Sequence, residues 1–230
     1  TSLNADETEA DLDRLCQRAQ GPLGPVAAVC VWPRWVKRVR GQLAPTVAVA
    51  AVANFPAGGL ALPDVLTDIE ALAARGRKAG ALVAVDNTFL SPAWQQPLAL
   101  GADLVVHSTT KYLNGHSDVV GGAVVAKTAE RAEQLTWWAN CLGLTGAPFD
   151  SFLTLRGVRT LHARLAIHER NAQGLAEWLS REPGVAKVYY PGLATHPGHD
   201  IAKRQQRGFG AMVSIELTGG TAAVRRFVDG

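Results

Sequence analysis

Five runs dominated by apolar residues, spaced by helix-length segments, set the fold class of this chain. They are Val26–Trp32, Val47–Ala53, Ala81–Asp86, Leu104–Ser108 and Gly122–Ala126. Short continuous apolar runs are the mark of strands buried on both faces. Between and after them, amphipathic patterns predict helices at Pro33–Leu43, Pro63–Ala79, Ala129–Asn140, Phe149–Arg156 and Leu161–Ser180. A capping box at Asn4-Ala-Asp-Glu7 predicts an earlier helix that reaches about Ala19. Val185–Tyr190 and Ala211–Leu217 read as strands of a later, smaller unit, followed by a helix at Thr221–Val228. Strands alternating with helices predict α/β architecture, a mainly parallel sheet flanked by helices.

Composition excludes several function classes. The 230 residues are 47% hydrophobic and 19% charged with a net charge of +3, an ordinary globular balance. The densest basic stretch, Arg34–Arg40, alternates with Trp35, Val36 and Val39, so it reads as an amphipathic helix and not as a nucleic-acid surface. No apolar run approaches the roughly 20 residues of a membrane span. No basic segment leads an apolar core, so no signal peptide is expected. Cys16, Cys30 and Cys141 are widely spaced, which suits free thiols in a reducing cytoplasm, with Cys30 expected to be a buried thiol. His196-Pro-Gly-His199-Asp200 lacks the helix that would fix ligand geometry, so no metal site is expected. The six tryptophans read as core and interface residues.

Chemistry gathers at two strand ends. The run Asp103-Leu-Val-Val-His-Ser-Thr-Thr-Lys111 breaks from an apolar strand into hydroxyls and one amine, and Ala81–Asp86 ends in an acid. In open α/β sheets, ligands sit beyond the carboxyl ends of the strands. A lysine forms a Schiff base only as the neutral amine, and its ordinary pKa of about 10.4 falls on burial or beside positive charge. Lys111 follows seven residues without a charged group, which suggests partial burial; the other five lysines lie in charged, exposed settings. Ser108, Thr109 and Thr110 can donate hydroxyl hydrogen bonds to a phosphate. Asp86 can pair with a protonated ring nitrogen. Together these groups suit an aromatic, phosphorylated aldehyde: pyridoxal 5'-phosphate. An Asp at a strand end is more often a turn or cap, and a Lys after Ser-Thr-Thr is more often a solvated loop residue. Spacing alone leaves both readings open.

Four stretches carry a resemblance. They are Val85-Asp-Asn-Thr-Phe-Leu-Ser-Pro92, His107-Ser-Thr-Thr-Lys-Tyr-Leu-Asn-Gly-His-Ser-Asp118, Phe149-Asp-Ser-Phe-Leu-Thr-Leu-Arg-Gly-Val-Arg-Thr160 and Gly208-Phe-Gly-Ala-Met-Val-Ser-Ile-Glu216. On these, Asp68–Gly230 resembles the Cys/Met-metabolism family of pyridoxal-phosphate enzymes, fold type I. Trp137-Trp138-Ala-Asn140 and Gly143-Leu-Thr-Gly-Ala-Pro-Phe149 favour its γ-synthase branch over its γ-lyase branch. The resemblance implies that Lys111 carries the internal aldimine and shuttles protons, that Asp86 holds the pyridine nitrogen, and that Ser108 and Thr110 contact the phosphate. The implied reaction joins an activated homoserine ester to cysteine by γ-replacement. The implied partners are a small amino-acid substrate and copies of the same chain, with no nucleic acid and no membrane. Family segments that cup the phosphate, stack on the ring and grip the substrate carboxylate have no match here, so the activity itself is in question.

Residues 1 to about 62 resemble a different family, the deoxyribose-phosphate aldolases, at the first strands of their TIM barrel. Thr1-Ser-Leu-Asn-Ala-Asp-Glu-Thr8, Ala27-Ala-Val-Cys-Val-Trp-Pro-Arg34 and Val52-Ala-Asn-Phe-Pro-Ala-Gly-Gly59 carry that likeness. Where the aldolase amine would fall, in Gly101-Ala-Asp-Leu-Val-Val106, this chain has Val106, which cannot form an imine. The sequence therefore reads as a chimera. Its expected parts are an aldolase-like segment at 1–62, a cofactor-binding portion of a large domain at 63–182, and the start of a small domain at 183–230. A non-catalytic α/β scaffold is the alternative outcome.

Overall fold

The computed structural model describes residues 6–52 and 69–229. These form two compact units, one on each side of the segment 53–68. The expected starts at Asn4 and Pro63 lie outside the described residues.

The first unit begins with a cap one turn later than the sequence suggested. Thr8 caps helix α1 (Glu9–Arg18): Asp11 N–H donates to Thr8 Oγ1 at 3.3 Å, and Thr8 N–H donates to Asp11 Oδ2 at 2.9 Å. Strand β1 (Ala28–Val31) runs into a 3-10 turn (Pro33–Trp35) and helix α2 (Val36–Gln42), with Pro33 in the first turn where its missing N–H costs nothing. Strand β2 (Ala48–Ala51) returns parallel to β1, pairing Ala28 with Ala48 and Val31 with Ala51. The expectation that both strands are buried on two faces fails. Burial in β1 alternates, because only one face packs on α1 and α2, and β2 has no fully buried residue. Leu12, Cys16, Val29, Val31, Val39 and Val47 make the core. Cys16 is therefore the buried thiol, and Cys30 is half-buried.

The second unit opens with α3 (Ile69–Lys78) and strand β3 (Ala84–Asp86). A short helix, α4 (Ser91–Trp94), precedes strand β4 (Leu104–Ser108). β3 and β4 are parallel, with Asp86 opposite Val106. Strand β5 (Gly122–Ala126) lies antiparallel to β4, because the 109–121 connection contains no crossover helix that would carry the chain back for a parallel pass. Helices α5 (Ala129–Leu142), α6 (Pro148–Arg159) and α7 (Leu161–Leu179) follow. Strand β6 (Val185–Tyr189), helix α8 (His199–Gln205), strand β7 (Ser214–Leu217) and helix α9 (Gly220–Asp229) complete the chain, with β6 and β7 antiparallel. Parallel pairing thus holds for β1–β2 and β3–β4 and gives way to antiparallel pairing elsewhere.

Two small cores stabilise this unit. Trp94, Leu113, Leu161 and Leu165 fix α7 against the loops beyond β3 and β4. Ala172, Ala176 and Tyr190 join α7 to the last strands. In contrast, α5 buries no residue and α6 buries only Gly157. Trp137, Phe149 and Phe152 are 58–68% exposed, and Trp138, Leu142 and Leu155 are exposed beside them. Among the described residues no helix is long and apolar enough to cross a membrane.

Candidate active site at the ends of β3 and β4

The chain turns sharply where β3 ends. Asp86 Oδ1 accepts the Thr88 N–H at 3.0 Å, an Asx turn that fixes the carboxylate, while Asn87 N–H donates to Val106 O at 2.9 Å and extends the parallel ladder. Thr88 Oγ1 accepts the Ser108 N–H at 2.8 Å, so the tips of the two strands are laced together. The Asn87 side chain is 2% exposed; its Nδ2 donates to the carbonyls of Ser91 (3.0 Å) and Gln95 (2.9 Å). Ser91 and Ser117, in the loops beyond the two strands, hold left-handed backbone at φ 59° and 57°, and no other described non-glycine residue does. Such strain persists only where the surroundings over-determine it.

The loop beyond β4 closes on itself. Thr109 N–H donates to Gly121 O at 2.9 Å, and Thr110 Oγ1 accepts the Gly121 N–H at 3.0 Å. A Cβ on Gly121 would stand 2.8 Å from Thr109 Oγ1, so the neck needs glycine. Inside the loop, Gly115 N–H donates to Lys111 O at 2.8 Å and Asn114 N–H to Thr109 O at 2.9 Å. Asn114 is 1% exposed and donates from Nδ2 to Asp118 Oδ1 at 2.6 Å. His107, on β4, is 5% exposed. Burial lowers its pKa, opposed by the nearby Asp86 carboxylate and a hydrogen bond with the Asn87 backbone. Asn87 Oδ1, His107 Nδ1 and Asn114 Oδ1 are buried without a hydrogen-bond partner among the described residues. Buried polar atoms are nearly always paired, so three orphans make the ground around the two strand tips unusually polar.

Beside the loop after β4 opens a cleft of about 650 Å³, within the range of small-molecule sites. Thr110, Lys111, Tyr112, Arg164, His168 and Met212 line it. Of the four residues singled out in the sequence, Thr110 and Lys111 share this cleft. Asp86 and Ser108 stand at the adjoining strand tips, outside its lining. Lys111 is exposed, as are the other five lysines. Partial burial therefore does not set it apart; the turn after Ser108 carries its side chain out to the cleft, and that position distinguishes it. The parts suit a phosphorylated pyridine aldehyde. Among the described residues Ser108 Oγ makes no hydrogen bond, and Thr110 Oγ1 lies a long 3.4 Å from Gly121 O, so both hydroxyl protons can turn to an anion. Of the Asp86 carboxylate oxygens, Oδ1 accepts the Thr88 N–H, and among the described residues Oδ2 makes no hydrogen bond.

Sequence reasoning missed Asn87, Thr88, His107, Asn114, Arg164 and His168. Thr88 was findable, since an Asp followed two residues later by a small polar residue at a strand end is an Asx-turn signal. Arg164 and His168 were not, because only the packing of α7 brings them to the cleft. The metal candidate resolves differently. Helix α8 starts at His199, where no helix was expected, but His199 Nδ1 is 2.7 Å from Pro191 O and its ring stacks on Phe209. Among the described residues no group of acids, histidines and cysteines could hold a metal ion.

A carboxylate at one strand tip and an amine and hydroxyls past its parallel neighbour are the kinds of group that suit a cofactor of the pyridoxal-phosphate class. Residues 63–230 match the model of the Cys/Met metabolism PLP-dependent enzymes, and the chain belongs to that family. Cystathionine gamma-synthase of Escherichia coli K12 is 55% identical over 165 residues, 72% of this chain and 43% of that protein. O-succinylhomoserine sulfhydrylase of Pseudomonas aeruginosa is 49% identical over 164 residues, 71% of this chain and 40% of that protein. Among solved structures, cystathionine gamma synthase from Xanthomonas oryzae, in complex with aminoacrylate and cysteine, superposes with a TM-score of 0.73 at 52% identity, over 86% of this chain and 55% of that one. The chain thus spans well under half the length of these curated relatives and just over half of that solved one.

Proposed function

We propose that this chain carries the cofactor-binding part of an enzyme of the cystathionine γ-synthase type, joining an activated homoserine ester to cysteine by γ-replacement. The observation that carries this reading is the Lys111 amine opening into a cleft just beyond β4, beside the strand tipped by Asp86. The 49–55% identity with γ-synthase and sulfhydrylase relatives supports it. In this reading Lys111 Nζ would hold the cofactor through its aldehyde group and would carry protons to and from the substrate. Asp86, its Oδ1 fixed by Thr88, would offer Oδ2 to the ring nitrogen. Ser108 and Thr110 donate their hydroxyl protons to the phosphate. Pyridoxal phosphate, when bound, supplies the electron sink that the chemistry needs.

We assign residues 63–182 to the cofactor-binding portion, 183–230 to the start of a small domain and 1–62 to a segment like the aldolase barrel. The substrate class is a small amino acid, and the compartment is the cytoplasm. The exposed apolar side chains of α5 and α6 suit contact with a second copy of the chain. One observation favours a non-catalytic scaffold instead: Asp86 and Ser108 lie outside the lining of the cleft that Lys111 enters. The aldolase reading is disfavoured by Val106, which offers no amine.

The test is addition of pyridoxal phosphate, borohydride reduction and peptide mass mapping. The proposal expects a yellow absorbance band before reduction, covalent label on Lys111, and loss of both in Lys111→Ala. Label spread evenly over the six lysines would overturn it. Cystathionine formation above the Lys111→Ala background would exclude the scaffold.

A further inference from the structure

Arg164 ties the Lys111 turn to the junction of two helices. On the first turn of α7, its Nε–H donates to Thr160 Oγ1 at 3.1 Å, Nη1–H to Tyr112 O at 3.0 Å and Nη2–H to Gly157 O at 2.8 Å. Tyr112 directly follows Lys111, and Gly157 lies in the last turn of α6. All three acceptors are neutral oxygens, and among the described residues no carboxylate lies within ion-pair distance. Only a guanidinium offers several N–H donors in one rigid plane, so a single side chain joins the turn at Tyr112 to the Gly157–Thr160 helix junction through three acceptors.

Two glycines record how closely the parts fit. A Cβ on Gly115, which has φ +76°, would stand 2.1 Å from Arg164 Nη1. A Cβ on Gly157 would stand 2.1 Å from Asn114 O. The residues flanking this contact are the ones that close the turn, since Gly115 N–H donates to Lys111 O. A cap for α6 would need only the bond to Gly157. The bond to Tyr112 and the close seat on Gly115 have no part in capping, and both act on the backbone that carries Lys111.

We propose that Arg164 is a positioning residue, a clamp that fixes the Lys111 turn so that the amine stands at a defined place in the cleft. Its functional half rests on Lys111 being the reacting amine, as argued above. Its mechanical half is independent of any cofactor.

The experiment uses Arg164→Ala and Arg164→Lys in the full chain. Lysine keeps the charge and the aliphatic stem but cannot bridge three acceptors, so it serves if the alanine variant does not fold. In cofactor-free protein, hydrogen exchange of the 109–116 segment should quicken at least tenfold in the alanine variant and severalfold in the lysine variant. With pyridoxal phosphate, the rate of reductive labelling at Lys111 should fall at least tenfold, while labelling of Lys127 and Lys187 stays unchanged. Unchanged exchange in 109–116 would overturn the clamp. Faster exchange with an unchanged Lys111 rate would reduce Arg164 to a structural cap and overturn the positioning role. If wild-type protein takes no label at Lys111, the proposed function fails, and the exchange measurement still decides the clamp.

Discussion

The first unit and the strand tips of the second bury different chemistry. In residues 6–52 the fully buried side chains include Leu12, Cys16, Val31, Val39 and Val47, and Glu7 is the one buried polar residue among those described. In the second unit, strand β4, the start of α4 and the loops past β3 and β4 bury Asn87, Thr88, Ser91, His107, Thr109 and Asn114. Apolar burial stabilises without direction, at about 25 cal/mol per Å² removed from water. Buried polar groups return little net stability but fix direction, because each must find its partner. The first arrangement holds its own unit together, and the second fixes the direction of the polar groups at the two strand tips.

The largest test of that contrast lies in the apolar unit. Leu12→Ala should cost about 2–5 kcal/mol, the usual range for truncating a fully buried leucine. Denaturant unfolding measures the loss, and labelling of Lys111 should proceed at the wild-type rate once the protein is folded. A slowed Lys111 reaction in folded Leu12→Ala protein would break the division between the first unit and the site.

The polar ground at the strand tips should answer in the reverse way. Gly157→Ala forces a methyl to within 2.1 Å of the Asn114 carbonyl, a backbone atom that cannot swing aside. Overpacking of this kind costs about 1–3 kcal/mol. Asn87→Ala deprives the carbonyls of Ser91 and Gln95 of their shared donor, at a cost of about 1–3 kcal/mol. Both variants should lose cofactor labelling out of proportion to stability. If either unfolds more easily yet labels Lys111 normally, the polar ground is ordinary scaffolding.

The same contrast explains what the sequence revealed. β4 and β5 were legible to the residue, because Leu104–Ser108 and Gly122–Ala126 carry compact apolar signals bounded by polar or glycine turns. The position of Lys111 beside a cleft was legible because charge is rare at the end of an apolar run; that Asp86 lies outside the cleft lining was not. The depth of burial was not. Val26–Trp32 looks buried on both faces, yet Cys30 is half-buried, since only tertiary packing decides which faces are covered. The start of α1 was misplaced by one turn, because Asn4 and Thr8 both open plausible boxes and Asp11 answers Thr8. The seat of Arg164 could not be read at all, since its partners Tyr112 and Gly157 are far apart in the chain and present only backbone carbonyls.

The smallest expected effect is the pH response of the polar ground. His107 is neutral in the folded protein, because burial lowers its pKa below the ordinary value of about 6.5, despite the opposing pull of Asp86. The unfolded chain takes up that proton as pH falls through about 6.5, so it binds more protons than the folded chain there, and stability must fall with pH in that window. One proton limits the slope to about 1.4 kcal/mol per pH unit. His196 is shifted the same way, by burial and then by the positive fields of His199 and Lys187, so it adds a parallel contribution. Melting temperatures between pH 7.5 and 5.5 separate the two. His107→Gln should flatten the decline and change Lys111 labelling, whereas His196→Gln, set away from the cleft lining, should flatten it without touching the label. A wild-type slope retained in His107→Gln would mean that its ring takes up its proton as readily folded as unfolded, and the polar ground would then be more open to water than its 5% exposure implies.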